Sequence, residues 1–329
     1  MLNHKKINTT NNFRPAWWAK NKHIQTLIPV FFPKKLNLSL YRENITLPDG
    51  DFIQVDWTIN KLETKPLLIL LHGLEGSSSS PYIQRLMKKA HENNFRAVCM
   101  HFRGCSGLPN KYERAYHAGD TEDLNYFIHH IKKKWNITED IFIAGFSLGG
   151  SVLLKWLNEN NENKIIKSAV ATSVPFELAT TADTMNKGFS RIYQWWLLKS
   201  LKDSFIKKSN SIGVSIDKKA IKDLKNFWEF DDKITAKIHG FKNVNDYYAK
   251  SSPRQFLSKI KTPTLIIHSR DDPFMTPSCI PNVNEISNSI TFELTDKGGH
   301  VGFVSGSIPF FPNYWLEDRI LNYFNEYLN

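Results

Sequence analysis

The residues of this sequence best suited to chemistry are a serine between glycines, two adjacent aspartates and a histidine in a glycine-rich loop. They are Ser147 within the segment 145–150, then Asp271 and Asp272, and finally His300. A serine hydroxyl becomes a strong nucleophile only when a base takes its proton and a third group orients that base. Serine, aspartate and histidine in this chain order predict a serine nucleophile with a histidine base and a carboxylate partner.

The surroundings of Ser147 predict a sharp turn between a strand and a helix. The apolar run Ile141–Ala144 enters the turn, and Leu148–Asn160 leaves it with a helical pattern. Glycines on both sides permit the strained backbone that lifts a serine hydroxyl out of a sheet. The same turn points the helix N-terminus and the Leu148 N–H at the position where an oxyanion would develop.

A second oxyanion donor is expected in the segment His72–Gly76, directly after the apolar strand Pro66–His72. The glycines of this segment let the backbone turn, and the N–H of Leu74 is the predicted donor. His72 precedes the serine, whereas the base is expected last in the chain order. We therefore predict that His72 orders this loop through hydrogen bonds.

His300 is the predicted base because it follows the last predicted strand, in a glycine-rich loop before the closing helix. An acid is expected just beyond the carboxyl end of the strand Thr264–His268, and Asp272, which directly precedes Pro273, is preferred. Asp271 stays open as the alternative; if Asp272 is the acid, Asp271 is a solvated or loop-capping carboxylate. Glu177, after an earlier strand, is a third and weaker candidate.

The elements that must position these residues alternate between short apolar strands and helices. This rhythm indicates parallel strands joined by helical crossovers. A hairpin with a Pro-Asp-Gly-Asp turn precedes the alternation. The predicted strands are Tyr41–Leu47, Phe52–Thr58, Pro66–His72, Ala97–Phe102, Ile141–Ala144, Ser168–Ser173, Thr264–His268 and Ile290–Leu294, and the predicted helices are Tyr82–Asn93, Gly119–Lys134, Leu148–Asn160 and Trp315–Tyr327.

The alternation stops between residues 176 and 261, where the chain is helical in character, aromatic and rich in lysine. This pattern predicts a helical cap at 176–261 inserted into an α/β core formed by 66–175 and 262–329. Residues 1–65 are predicted to add an N-terminal segment and the hairpin to that core. The aromatic residues of the cap either form an apolar acyl pocket or pack the cap's own core; they are Trp195, Trp196, Phe227 and Trp228.

Composition narrows the class of protein further. Hydrophobic residues make up 41% of 329 residues, enough for a large core. Three scattered cysteines indicate neither a disulfide framework nor a zinc site, and no secretory leader or membrane-length apolar run is evident, so we expect a soluble cytoplasmic protein without metal or cofactor. The net charge of +11 is spread out, which argues against a nucleic-acid partner. A weak peripheral membrane contact through Trp17 and Trp18 stays open, and the oligomeric state is not predicted.

Several segments together resemble the YheT-like α/β-hydrolases, the group that also contains the ABHD1- and ABHD3-type hydrolases. The resemblance covers residues 13–325. It rests on Pro15–Trp18, His23–Leu27, His72–Ser77, Phe102–Gly107, Tyr116–Thr121, Gly145–Gly150, Asp271–Phe274 and Gly299–Phe303. It implies an α/β-hydrolase fold and esterase- or lipase-like cleavage of a small acyl ester or lipid by Ser147, Asp272 and His300.

The resemblance leaves other roles and rival functions open. Some relatives transfer acyl groups to alcohols and carry an H-x-x-x-x-D motif; in this sequence no histidine has an aspartate five residues later, so acyl transfer is the less supported alternative. A non-catalytic ligand-binding module is the other alternative. We expect Cys105 to be a packed cysteine rather than a reactive one. Residues 116–121 are expected to support the catalytic loops, with Asp120 or Thr121 capping the next helix, and residues 13–33 to pack on the core or the site's mouth.

Overall fold

A mixed sheet of nine strands forms the centre of the computed structural model, which describes residues 7–8, 12–31, 38–58, 64–162 and 164–328. The strands lie in the order β1-β9-β8-β7-β6-β4-β5-β3-β2, and a separate ribbon pairs β10 with β11. The strands are β1 (Ile7–Asn8), β2 (Tyr41–Thr46), β3 (Phe52–Trp57), β4 (Leu67–Leu71), β5 (Arg96–Met100), β6 (Ile141–Phe146), β7 (Ile166–Thr172), β8 (Thr264–Ser269), β9 (Ile290–Thr295), β10 (Val304–Ser305) and β11 (Asn313–Tyr314).

Eleven α-helices in the described part of the chain pack around and beyond this sheet. They are α1 (Lys22–Phe31), α2 (Pro81–Glu92), α3 (Glu122–Lys134), α4 (Leu148–Glu159), α5 (Leu178–Met185), α6 (Ser190–Ser211), α7 (Lys218–Asp223), α8 (Phe227–Phe230), α9 (Ala236–Ile238), α10 (Val244–Ser251) and α11 (Trp315–Asn325). A π-helical stretch, Asp231–Thr235, separates α8 from α9, and a 3₁₀ stretch, Pro253–Lys259, follows α10.

The central strands are apolar along their whole length because both faces of the sheet are covered. All five residues of β4 are buried. Leu68 and Leu70 pack in a core with residues of α2 and α11, whereas Ile69 and Leu71 pack in a second core with residues of α3 and α4. Continuous apolar strands of this kind are typical of parallel sheets with helices on both sides.

The sheet is parallel except at one side, where the predicted hairpin joins it. β2 and β3 pair antiparallel, with Thr46 opposite Phe52 across the Pro-Asp-Gly-Asp turn, and β3 pairs antiparallel with β5. The hairpin therefore adds its two strands to the core sheet. Of the predicted N-terminal segment, residues 1–6, 9–11, 32–37 and 59–63 lie outside the described residues.

Residues 176–261, all of which the structure describes, contain helices and no strand. They leave the sheet after β7 and return to it at β8, which stand side by side in the sheet. The helix α6, with 22 residues, is the longest of this segment. Across the described ranges, no helix combines the length and the apolar character that a bilayer span requires.

Candidate active site

Ser147 lies on the turn between β6 and α4, with a backbone φ of 52°. This left-handed conformation is strained for a residue with a side chain, and such strain is concentrated at functional sites. The flanking glycines are required by contact: a Cβ at Gly145 would lie 2.5 Å from the Gly149 carbonyl oxygen, and one at Gly149 would lie 2.5 Å from the His72 carbonyl oxygen. The turn can therefore be this tight only with glycine at both positions.

A chain of hydrogen bonds connects Ser147 to a carboxylate through His300. The Ser147 hydroxyl donates to Nε2 of His300 at 3.0 Å, and Nδ1–H of His300 donates to Oδ2 of Asp272 at 2.8 Å. The Asp272 carboxylate is buried, and its other oxygen accepts the N–H of Phe274 at 2.8 Å. The imidazole is hydrogen-bonded to the serine hydroxyl and the carboxylate to the imidazole, which is the arrangement that a serine nucleophile requires.

The structure distinguishes between the carboxylates that the sequence left open. Oδ1 of Asp271 accepts the Gly299 N–H at 3.0 Å, so Asp271 holds the loop before His300 and does not contact the imidazole. Burial raises the pKa of Asp271 above its usual value. Glu177 is paired with Arg254 at 2.6 Å. Among the three candidates, Asp272 is the one hydrogen-bonded to His300.

The two backbone N–H groups predicted as oxyanion donors belong to cavity-lining residues and have no acceptor among the described residues. Leu148 is the first residue of α4, so its N–H has no acceptor within the helix. Within the described residues, no hydrogen-bond acceptor is found for the N–H of Leu74 either, whereas the N–H groups of Gly73 and Glu75 donate to tyrosine hydroxyls. Both leucines line the same cavity as Ser147.

His72 makes the loop-ordering hydrogen bonds that the sequence predicted. Its Nδ1–H donates to the Gly73 carbonyl at 2.7 Å, and its Nε2 accepts the Phe102 N–H at 3.2 Å. The side chain is fully buried, which lowers its pKa to about 3 and keeps the ring neutral. His72 thereby ties the loop after β4 to the loop after β5.

The segment Tyr116–Thr121 supports the loop that carries Leu74, but it does not cap α3 as predicted. The Tyr116 hydroxyl accepts the Glu75 N–H at 2.9 Å and donates to the Glu75 carboxylate at 2.8 Å. Thr121 is the N-cap residue of α3, yet its hydroxyl donates to Glu159 and makes no capping bond. Asp120 binds Arg114 instead. Partners outside the first turn of α3 replace the cap at both residues.

Burial raises the pKa of the Cys105 thiol well above its ordinary value, so it stays protonated at neutral pH. Cys105 lines the cavity and packs against the main hydrophobic core. The environment fits the expected packed cysteine and does not favour a nucleophile.

The N-terminal helix α1 holds the His300 loop, a role that the sequence did not assign. The Thr26 hydroxyl accepts the His300 N–H at 3.0 Å. The fully buried Gln25 donates its amide to the carbonyls of Ala19 and Val304 and accepts the Val304 N–H. Contact is so close that a Cβ at Gly302 would lie 2.1 Å from the Gln25 carbonyl oxygen. The adjacent polar residues Gln25 and Thr26, on the buried face of a short apolar helix, were the sequence signal from which this supporting role could have been inferred.

We expect Gln25→Ala to destabilise the protein by about 3 kcal/mol, because it leaves buried backbone groups without partners. It should also lower ester hydrolysis, since the His300 loop loses its support. Urea unfolding and steady-state kinetics measure the two effects. Gln255→Ala is the matched control: Gln255 also donates to two backbone carbonyls but is exposed, so water can replace it. Equal losses in both variants would contradict this account.

A cavity of about 370 Å³ opens beside Ser147 and His300 and is lined mainly by apolar side chains of α5, α6 and α8. Phe227 lines the cavity, in agreement with the expected acyl pocket. Both interpretations, the acyl pocket and packing in the cap's own core, are wrong for Trp195 and Trp196, which are 65% and 48% exposed. Trp228 packs on Tyr248 with ring centroids 4.9 Å apart.

His117 and His239 line the cavity and form a polar cluster with the buried Asp120, with one potential metal ligand from each residue within 4.8 Å of the others. Buried Oδ2 of Asp120 and Nε2 of His239 have no hydrogen-bond partner among the described residues. However, Nδ1 of His117 accepts the Gly119 N–H at 3.1 Å, which leaves the proton of the neutral ring on Nε2. Arg114 also binds Asp120 at 2.9 Å. The cluster suits a polar group of a ligand better than a metal ion.

The fold and these residues define the class of protein. A family described as having the alpha/beta hydrolase fold matches residues 66–307, and this chain belongs to it. The fold class predicted from the sequence, a mostly parallel sheet flanked by helices, is therefore confirmed. An esterase from Pyrococcus furiosus shares the fold, with a TM-score of 0.58, 20% identity, and coverage of 90% of this chain and 96% of that one.

Within this class, the chain is a member of the YheT-like group, as the resemblance predicted. It is 38% identical over 327 residues to YheT of Escherichia coli strain K12, covering 98% of this chain and 96% of that protein, whose name provisionally assigns it to the esterases. It is 29% identical to the bovine phospholipase ABHD3, covering 96% of this chain and 78% of that one. It is also 29% identical to a yeast monoacylglycerol lipase, covering 80% and 58%.

Proposed function

We propose that this chain hydrolyses carboxylic esters, with Ser147 as nucleophile, His300 as general base and Asp272 as the group that orients the imidazole. The observation that carries the proposal is the unbroken hydrogen-bond chain of 3.0 Å and 2.8 Å through these three side chains at the wall of an apolar cavity. The esterase and lipase names of the relatives support the same reaction.

In the proposed reaction, His300 takes the Ser147 proton as the hydroxyl oxygen attacks the ester carbonyl. The N–H groups of Leu74 and Leu148 stabilise the negative charge of the tetrahedral intermediate. The C–O bond then breaks, and the imidazolium returns its proton to the leaving alcohol. Water, activated by the same imidazole, hydrolyses the acyl-enzyme and restores the serine.

Asp272 has two tasks in this reaction. Its bond to Nδ1–H fixes the tautomer in which Nε2 can accept the serine proton, and its buried charge stabilises the imidazolium that forms. Phe274 stacks on His300 with ring centroids 3.9 Å apart and further restricts the imidazole. The reaction needs neither a metal nor a cofactor.

The cavity supports a proposal about the kind of ester that binds. We propose that residues 176–261 act as a cap and that their apolar side chains, with Leu178, Leu201 and Phe230 at the cavity wall, bind the acyl chain. Of the polar cluster, the cavity-lining His117 and His239 would contact oxygen atoms of the ligand. A small acyl ester or lipid fits this combination. The three free cysteines fit the proposed cytoplasmic location.

A fluorophosphonate probe tests the proposal directly, because it reacts covalently with activated serines. We expect mass spectrometry to find the adduct on Ser147 and to find none in heat-unfolded protein. In a series of p-nitrophenyl esters, kcat/KM should rise about fourfold per added methylene until the cavity is filled, since each buried methylene contributes ~0.8 kcal/mol. An adduct on another residue would refute Ser147 as the nucleophile. A kcat/KM that stays constant from acetate to octanoate would refute the binding of the acyl chain in the cavity.

A further inference from the structure

Exposed apolar side chains are concentrated on one part of the surface. Of the fifteen large apolar side chains that are exposed in the described ranges, eleven fall within residues 17–31, 189–196 and 308–311. We call these three segments the aromatic face. Phe310 and Phe311 are 71% and 72% exposed at its tip. Exposed apolar patches of this kind mark sites of interaction on protein surfaces.

The segments of the aromatic face are joined by direct contacts. The rings of Trp18 and Phe310 lie 6.1 Å apart, and the Trp17 indole N–H donates to the Ser307 carbonyl at 2.9 Å. In the first turn of α1, the rings of His23 and Phe189 lie 4.3 Å apart. The N-terminal segment therefore connects the loop before β11 with the start of α6.

The start of α6 shows that the exposure is systematic. Ile192, Trp195, Trp196 and Lys199 follow one another at the spacing of a single helix face, and all four are exposed. A surface helix normally turns such an apolar stripe toward the core. Here the stripe faces outward, with the Lys199 ammonium 5.9 Å from the Trp195 ring.

Charge identifies the kind of partner. The stretches 12–31, 184–202 and 298–316, which contain the aromatic face, have seven Lys and Arg residues and no Asp or Glu, in a chain with 32 acidic residues. A surface that combines exposed Trp and Phe with an excess of cations is complementary to the interface of an anionic bilayer. Nucleic acid would use the cations but leave the apolar side chains without a partner.

The aromatic face also adjoins the candidate active site. Tyr193 of α6 lies 5.7 Å from Phe189 and 5.1 Å from Phe274, measured between ring centroids. Phe274 in turn stacks on His300. A surface bound at this face would lie next to the elements that hold the catalytic histidine.

We propose that the aromatic face docks this protein on the surface of an anionic phospholipid bilayer. Its Trp and Phe side chains enter the headgroup region, and its Lys and Arg side chains contact lipid phosphates. The proposal does not rest on the hydrolase reaction. Binding is measured without catalysis, so its failure would leave the proposed function untouched.

Vesicle flotation tests the apolar contribution. We expect the wild type to bind vesicles of phosphatidylcholine with one-third phosphatidylglycerol and to bind pure phosphatidylcholine much more weakly. The double variant F310S/F311S should lose binding by about tenfold or more, because two exposed rings no longer insert. The control is Val283→Ser, which removes a 51% exposed apolar side chain outside the aromatic face. Circular dichroism melting verifies that each variant is folded.

The charge contribution is tested with a second pair of variants. K20E/K199E reverses Lys20 of the aromatic face and Lys199, the next exposed residue of the α6 stripe, and K132E/K133E makes the same change on α3. We expect at least a tenfold loss for the first pair only, since each cation near an anionic surface contributes about a fivefold factor in affinity. Raising the salt concentration should weaken wild-type binding.

Three results would overturn the proposal. The first is equal binding to anionic and neutral vesicles, and the second is equal loss in the two charge variants. The third concerns a second copy of the chain: light scattering that shows a wild-type dimer and a monomeric F310S/F311S variant, with vesicle binding absent in both, would make the aromatic face an interface between copies.

Discussion

Ser147→Ala is expected to reduce kcat for ester hydrolysis by about 10⁶-fold, the loss typical when the nucleophile of such a triad is removed. The reason is that His300 then has no hydroxyl to deprotonate. No acyl-enzyme can form, so the reaction loses the pathway with the lower barrier. Residual hydrolysis should come from the oxyanion donors and from binding alone. Steady-state kinetics on short p-nitrophenyl esters measures the effect.

Ser151→Ala is the control for this variant. Ser151 lies one turn further along α4 and is buried, and its hydroxyl has no hydrogen-bond partner among the described residues. Ser151 has the same side chain and lies on the helix that begins after Ser147, but it does not contact His300. The activity of Ser151→Ala should therefore stay within a few-fold of the wild type. A Ser147→Ala enzyme that keeps a substantial part of the activity would exclude Ser147 as nucleophile.

The positions of the candidate site residues follow from local sequence patterns to a large extent. A strand, a serine between glycines and a helix predict the turn at Ser147, and the apolar runs that alternate with helices predict that the strands are parallel. His300 follows from its place after the last strand. These inferences need only patterns within about ten residues, and for that reason they could be made from the sequence.

Contacts between segments that are distant in the chain could not be predicted in this way. Thr26 and His300 are 274 residues apart in the chain, and nothing in either local pattern indicates their hydrogen bond. The same holds for Ser190 of α6, whose hydroxyl donates to the carbonyl of Pro273, the residue after Asp272. Such contacts depend on how α1 and α6 pack on the core, which periodicity does not specify.

The aromatic side chains of α6 illustrate another limit of sequence patterns. Helical spacing shows that Ile192, Trp195 and Trp196 share one face, but it does not show whether that face meets the protein or the solvent. The apolar character of the stripe favours burial, and the structure contradicts this because α6 packs through Tyr193 and Leu198 instead. Exposure, rather than composition, separates a packing surface from an interaction surface.

Asp272→Asn is expected to lower kcat by about 10⁴-fold while leaving the fold intact. The amide has nearly the shape of the carboxylate, but it can present an N–H to Nδ1 of His300 and so favour the tautomer with the proton on Nε2. That tautomer cannot accept the Ser147 proton. The amide also lacks the charge that stabilises the imidazolium.

Asp271→Asn provides the matched control, because the two aspartates are adjacent and the same atom is replaced. Asp271 accepts the Gly299 N–H and does not contact His300. Its amide counterpart keeps an oxygen for that bond, so activity should fall by less than about tenfold, the effect of one weakened neutral hydrogen bond. Kinetics of both variants across pH separate the candidates. If Asp271→Asn caused the larger loss, the acid would be Asp271 in the working enzyme, and the loop would have to rearrange on substrate binding.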